Sequence, residues 1–151
     1  MMRYLPLFQV VLNAVVIGGL AVPVALAGGP YAREAVRLTP EQATFVRNEM
    51  RGFLVTLQGM NEGLAKRDFE YVANMARQSG HEVTSGAPRG LGLAFPQGFR
   101  ELGSATHKGF DQIAVDAREF GDVRVTIEQI SALMKNCIQC HAAYRIEEVR
   151  P

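Results

Sequence analysis

The sequence predicts an all-α protein, an antiparallel up-down-up-down bundle of four helices. Three observations predict it. Apolar residues recur at spacings of three and four in four separate stretches, the mark of an amphipathic helix. Capping residues and glycines punctuate those stretches at the expected ends. Nothing alternates apolar and polar residues in the manner of a sheet. Mostly short connections between successive stretches favour antiparallel neighbours.

The first helix begins with Thr39 as N-cap, Pro40 at the first helical position and Gln42 at the third, a capping box. Val46, Met50, Phe53, Leu54, Leu57, Met60 and Leu64 form its stripe, and it should end between Gly63 and Lys66. Asp68 caps a second helix carrying Phe69, Val72, Ala73, Met75 and Ala76, which should stop at Gly80. The connection from His81 to Pro96 holds Gly86, Pro88, Gly90 and Gly92, so helix is not expected there. Pro96 opens a third helix with the stripe Phe99, Leu102, Thr106, Phe110, Ile113 and Ala117, and Gly121 lies beyond its end. Asp122 caps a fourth, whose stripe runs from Val123 through Ile127, Ile130, Leu133 and Met134 to Tyr144.

Residues 1–27 read as a secretory signal peptide. Arg3 is the only charge, Val10 to Leu20 is the apolar run, and Ala25-Leu26-Ala27 fits a small-residue cleavage site. The rival is an uncleaved anchor, since about 20 apolar residues suffice to span a bilayer. Pro23 and the small residues before the cut favour cleavage. The expected mature chain, residues 28–151, is the right size for one domain with one core, and it is expected in the periplasm. The whole chain holds 16 basic and 15 acidic residues, so loss of Arg3 leaves a formally neutral protein. No basic tract points to nucleic acid.

Near the end of the fourth helix the chain reads Cys137-Ile138-Gln139-Cys140-His141. This is C-x-x-C-H, the attachment signature for c-type haem. Residues three apart share a helix face, so two thiols so placed can each form a thioether to a haem vinyl group. The adjacent His141 can then reach the iron. One covalent haem c, held through Cys137 and Cys140, is the expected cofactor. A thioredoxin-like redox pair belongs beside a βαβ pattern, which is missing here. A structural zinc site usually needs four ligands, and the chain has only these two cysteines, with His81 and His107 isolated.

Cys137, Cys140, His141, Tyr144 and Arg145 together form the ending C-x-x-C-H-x-x-Y-R. In this ending, and in four helices across the mature chain, the sequence resembles the class II cytochromes c, which include the cytochromes c′ and their low-spin relatives. The resemblance implies that Cys137 and Cys140 bind haem, that His141 is the proximal ligand and that Arg145 lies near the haem edge. Tyr144 serves core packing or a haem contact. The resemblance also implies redox partner proteins and a possible homodimer; contact with a membrane would follow only from an uncleaved signal segment. No enzymatic activity of the chain's own is expected, since a peroxidase-like site wants a distal acid–base group and only His107 is at hand.

On the distal side the resemblance leaves two outcomes. A Met from the first helix gives a six-coordinate electron carrier, since Met/His ligation raises the potential. An apolar lid gives the five-coordinate cytochrome c′ condition, open to nitric oxide and other small gases. Met50 stands ten residues after Pro40, close to the centre of the stripe, at the level of the fourth helix's end. Met60 lies about 15 Å further along the axis. The expectation is an exported electron carrier with His141 proximal and Met50 distal; Met50, Phe53 or Leu54 as a lid is the alternative. His107, at the edge of its stripe, is a distant candidate and reads more readily as a surface residue, as does His81.

Overall fold

The computed structural model describes residues 32–149, so the expected signal segment 1–27, with its cut after Ala27, lies outside the described residues. The described chain is mostly helical and of all-α class. Strand β1 (Glu34–Leu38) leads into α1 (Pro40–Lys66) and α2 (Phe69–Arg77). A 3-10 segment (His81–Gly86) and the single turn α3 (Leu91–Ala94) precede α4 (Gln97–Phe120), α5 (Val123–Ala143) and strand β2 (Tyr144–Glu148).

The caps act as their chemistry demands. Thr39 Oγ1 accepts from the Gln42 amide and Gln42 Oε1 accepts from the Thr39 amide, closing the capping box of α1. Asp68 and Asp122 accept the amides of Tyr71 and Val125 at the starts of α2 and α5. Gly121, in the left-handed region at φ 56°, ends α4.

Helices α1 and α2 form an antiparallel hairpin. Gly59 faces Met75 and Gly63 faces Val72, and a Cβ at Gly63 would stand 2.7 Å from the Val72 methyl. Two glycines one turn apart thus let α2 approach closely. Arg118 of α4 grips Glu70 of α2 through Nε and Nη2 at 2.8 and 2.7 Å. Leu133 of α5 packs over Gly109 of α4. The larger apolar cluster draws on all four long or medium helices: Phe53 and Met60 from α1, Val72 from α2, Phe110 and Ile113 from α4, Ile130 and Leu133 from α5. A second cluster joins Val36 and Leu38 of β1 to Val46, Leu91 and Phe99, with Tyr144 and Ile146 packed against it.

The structure corrects three sequence expectations about the elements. The sequence predicts no sheet, yet β1 and β2 pair in parallel, with Val36 opposite Ile146 and Leu38 opposite Glu148. The apolar stripe predicts Tyr144 on the fourth helix, but α5 ends at Ala143 and Tyr144 begins β2. The cause is the buried row Val36 and Leu38, both with no exposed surface, which β2 covers. The connection after α2 also departs from the expectation. It contains helical turns, fixed by the Thr84 hydroxyl donating to the His81 carbonyl at 2.7 Å.

Phe110 has no exposed surface and packs on the Phe53 ring at 5.4 Å between centroids. Phe110→Ala should lower unfolding stability by about 3–5 kcal/mol, read as a shift of the urea midpoint at unchanged slope.

Candidate functional site

Cys137 and Cys140 lie on the last turns of α5, both half-buried and unpaired. Cys137 packs against the larger cluster and Cys140 against the smaller one. Met50 of α1 is also half-buried and packs against both clusters. The motif and the candidate Met therefore meet at the seam between the two cores.

Two clefts open at this seam. One, of about 460 Å³, is lined by Met50, Phe99, Cys140, His141, Tyr144 and Arg145, with Arg33, Arg47 and Arg51 around it. The other, of about 300 Å³, is lined by Met50, Phe53, Leu54, Leu57, Leu102, Met134, Cys137, Cys140 and His141. Met50, Arg51, Phe99, Cys140 and His141 wall both. The combined lining is apolar and aromatic with a few polar groups, the composition of a small-molecule or cofactor site.

His141 is exposed at the end of α5. Tyr144 stacks edge-on against Phe99 at 5.5 Å, and its hydroxyl lies on the backbone of Gly98 at the start of α4. Arg145 lines the larger cleft and pairs with Glu147 at 2.8 Å. Arg47 pairs with Glu148, so two of the four cleft arginines are tied to β2. Burial pushes the Cys137 and Cys140 thiols up from their ordinary value, which works against the thiolate that a redox-active pair needs. Among the described residues no three His, Cys, Asp or Glu side chains gather as a metal-binding group.

The other candidates fall elsewhere. Met60 is fully buried in the larger core, and Met75 packs on Gly59; neither lines either cleft. Met134 lines the smaller cleft from α5 itself. His81 is exposed. His107 corrects the surface reading: it is only 7% exposed. Its Nδ1 stands 2.9 Å from the Ser79 carbonyl, so Nδ1 carries the proton, because a carbonyl can only accept. Helix α4 packs against both α1 and α2, which widens its buried arc beyond the apolar stripe.

Sequence reasoning also missed Glu49. Its side chain is 16% exposed, and Oε1 stands 3.6 Å from His107 Nε2. Burial pushes its pKa up to about 7. The signal was legible: Glu49 sits three residues after Val46 and four before Phe53, an acid within an apolar stripe. No family model, curated protein or solved structure matches the chain, so the reading of the site rests on the motif and this geometry.

Because the folded pKa of Glu49 lies above its ordinary value of 4.5, the folded state binds the extra proton between those values. Its contribution is complete below about 4.5 and is lost as pH rises through about 7, a change of at most about 3 kcal/mol. Glu49→Gln should remove that slope. Urea midpoints of both proteins at pH 5 and pH 8 check it; an identical pH dependence in the variant contradicts the burial of the charge.

Proposed function

We propose that this chain is an exported one-haem c-type cytochrome that carries electrons, its four longer helices forming an antiparallel bundle of the class II kind. One observation carries the reading: Met50, Cys140 and His141 wall the same two clefts, and Cys137 joins them in one. The donor set fits haem c. Two thiols three residues apart supply thioethers, an adjacent imidazole supplies a nitrogen ligand, and a thioether from another helix supplies a sixth donor. The walls Phe53, Leu54, Leu57, Phe99 and Leu102 suit an apolar macrocycle.

Bound haem c supplies a one-electron couple at its iron. The chain's own residues set the rest. Cys137 and Cys140 would hold the group, and His141 and Met50 would offer it a nitrogen and a sulfur donor, a pairing that raises the potential. Arg33, Arg47, Arg51 and Arg145 give the larger cleft a cationic rim, which complements haem carboxylates. Tyr144, braced on Phe99, packs beside them. Exchange with redox partner proteins in the periplasm completes the proposal.

The apolar walls favour one second reading. Phe53, Leu54 and Leu57 stand around Met50, so Met50 could cover the iron without ligating it. That would leave a five-coordinate cytochrome c′ site for nitric oxide or another small gas.

The optical spectrum of the ferric protein separates the two. The electron-carrier reading expects a low-spin spectrum with a Met–iron charge-transfer band at the red edge, lost in Met50→Ala. A high-spin spectrum unchanged in Met50→Ala, with ready binding of nitric oxide by the reduced protein, would establish the second reading instead.

A further inference from the structure

Met50 walls a third cavity besides the two clefts at the cysteine pair. This cavity, of about 310 Å³, shares the wall Met50, Phe53, Phe99 and Gly103 with the smaller cleft but includes neither cysteine nor His141. The other core methionines are held differently. Met60 has no exposed surface, and Met75 packs on Gly59. Protein interiors are close-packed, so a side chain like that of Met60 moves only by opening a void, which is costly. Beside Met50 the open space already exists.

That room matters for a metal donor. A metal ligand is ordinarily kept in place by the groups that pack and hydrogen-bond around it. A thioether is only a weak acceptor and has no proton to donate, so packing must hold it. With three cavities at its side chain, Met50 is held loosely.

The third cavity also suits a thioether. Phe45, Phe95 and Leu91 line it besides the shared wall. Sulfur packs favourably against aromatic rings, and methionine is unbranched and turns about three bonds. The far wall is fixed without help from Met50. Arg100 of α4 donates through Nη1 to the carbonyls of Gly92 and Phe95, both at 3.2 Å, which ties the single turn α3 to α4.

We infer, on the proposed ligation of haem iron by Met50, that Met50 is a displaceable donor: a small neutral gas takes the sixth position, and the Met50 side chain turns into the third cavity. The bond from iron to the Met50 sulfur breaks, the lone pair of the gas forms the new bond, and no electron or proton is transferred. The electron carrier and the gas binder then become two states of one protein, and the space beside Met50 sets the balance between them.

Carbon monoxide is the probe. The reduced, haem-loaded protein with isotope-labelled methionine methyls is titrated by absorbance and by NMR. The gas should bind saturably, one per chain. In the gas-bound protein the Met50 methyl should show nuclear Overhauser contacts to Phe45 and Leu91, which line the third cavity and neither cleft. Those contacts should be missing before the gas is added. Ser104→Phe and Gly92→Trp place bulk in the third cavity at residues that line neither cleft, and a Cβ at Gly92 meets nothing within 4 Å. Each should weaken carbon monoxide binding at least tenfold while the ferric protein keeps its Met–iron band. The same substitutions in Met50→Ala should change the affinity less than twofold. A Met50 methyl that stays beside Leu54 and Leu57 in the gas-bound protein overturns the inference and leaves the ligation standing. So does a protein that shows the Met–iron band but takes up no gas, or an equal weakening with and without Met50. A ferric spectrum without the band overturns the ligation itself, and the inference with it.

Discussion

The parallel pairing of Glu34–Leu38 with Tyr144–Glu148 is the constraint on which the site depends. Strand β1 ends one residue before the N-cap of α1, and β2 begins where α5 stops. The ribbon thus ties the start of the first long helix to the end of the last. Val36 and Leu38 are fully buried beneath it, and the Val149 amide extends the ladder to the Leu38 carbonyl at 2.9 Å. On the rim, Arg37 stands directly opposite Glu147 in the register and pairs with it at 3.5 Å, an exposed contact worth at most about 1 kcal/mol. The apolar row supplies the holding force, and the charges add register.

Everything at the candidate site follows from that tie. Cys140 and His141 lie within the last turn before the ribbon, and Met50 lies ten residues into α1, about 15 Å along its axis. With the two helix ends fixed together, Met50 and the Cys-His turn wall the same clefts. The two apolar clusters meet at the same level, since Met50 packs on both. A third cavity lies across the wall of Met50, Phe53, Phe99 and Gly103. Glu49 and His107 also line it, and burial favours the protonated acid of Glu49.

Much of this was legible in the sequence, and the reasons are local. Thr39, Pro40 and Gln42 fix the start of α1 through hydrogen bonds spanning three residues, so the chain announces them. The stripes of the long helices are periodic over many turns, and Gly121 ends α4 where a left-handed residue is required. The expectation for Met50 comes from helix rise and stripe phase together with an up-down-up-down arrangement; in the structure Met50 lines both clefts with Cys140 and His141. The ribbon was not legible. Its strands are five residues each and more than a hundred apart in sequence, and parallel pairing leaves no turn signal between them. Tyr144 therefore resembles one more stripe residue of α5. The burial of His107 was hidden for a related reason. It comes from Phe53 and Glu49 of α1 and from the Ser79 backbone carbonyl just after α2, which no side-chain pattern reveals. Glu49 could have been found, because an acid three residues after Val46 and four before Phe53 interrupts an otherwise apolar face.

The proposal stands or falls on the bond between the two cysteines and a haem. The decisive measurement is a pyridine haemochrome assay on protein exported by a host that attaches c-type haem, after acid and organic extraction of any loose haem. The account predicts one haem per chain that stays with the polypeptide, and its loss when Cys137 and Cys140 are both replaced by Ser. A folded, exported chain that retains no haem after extraction would contradict it.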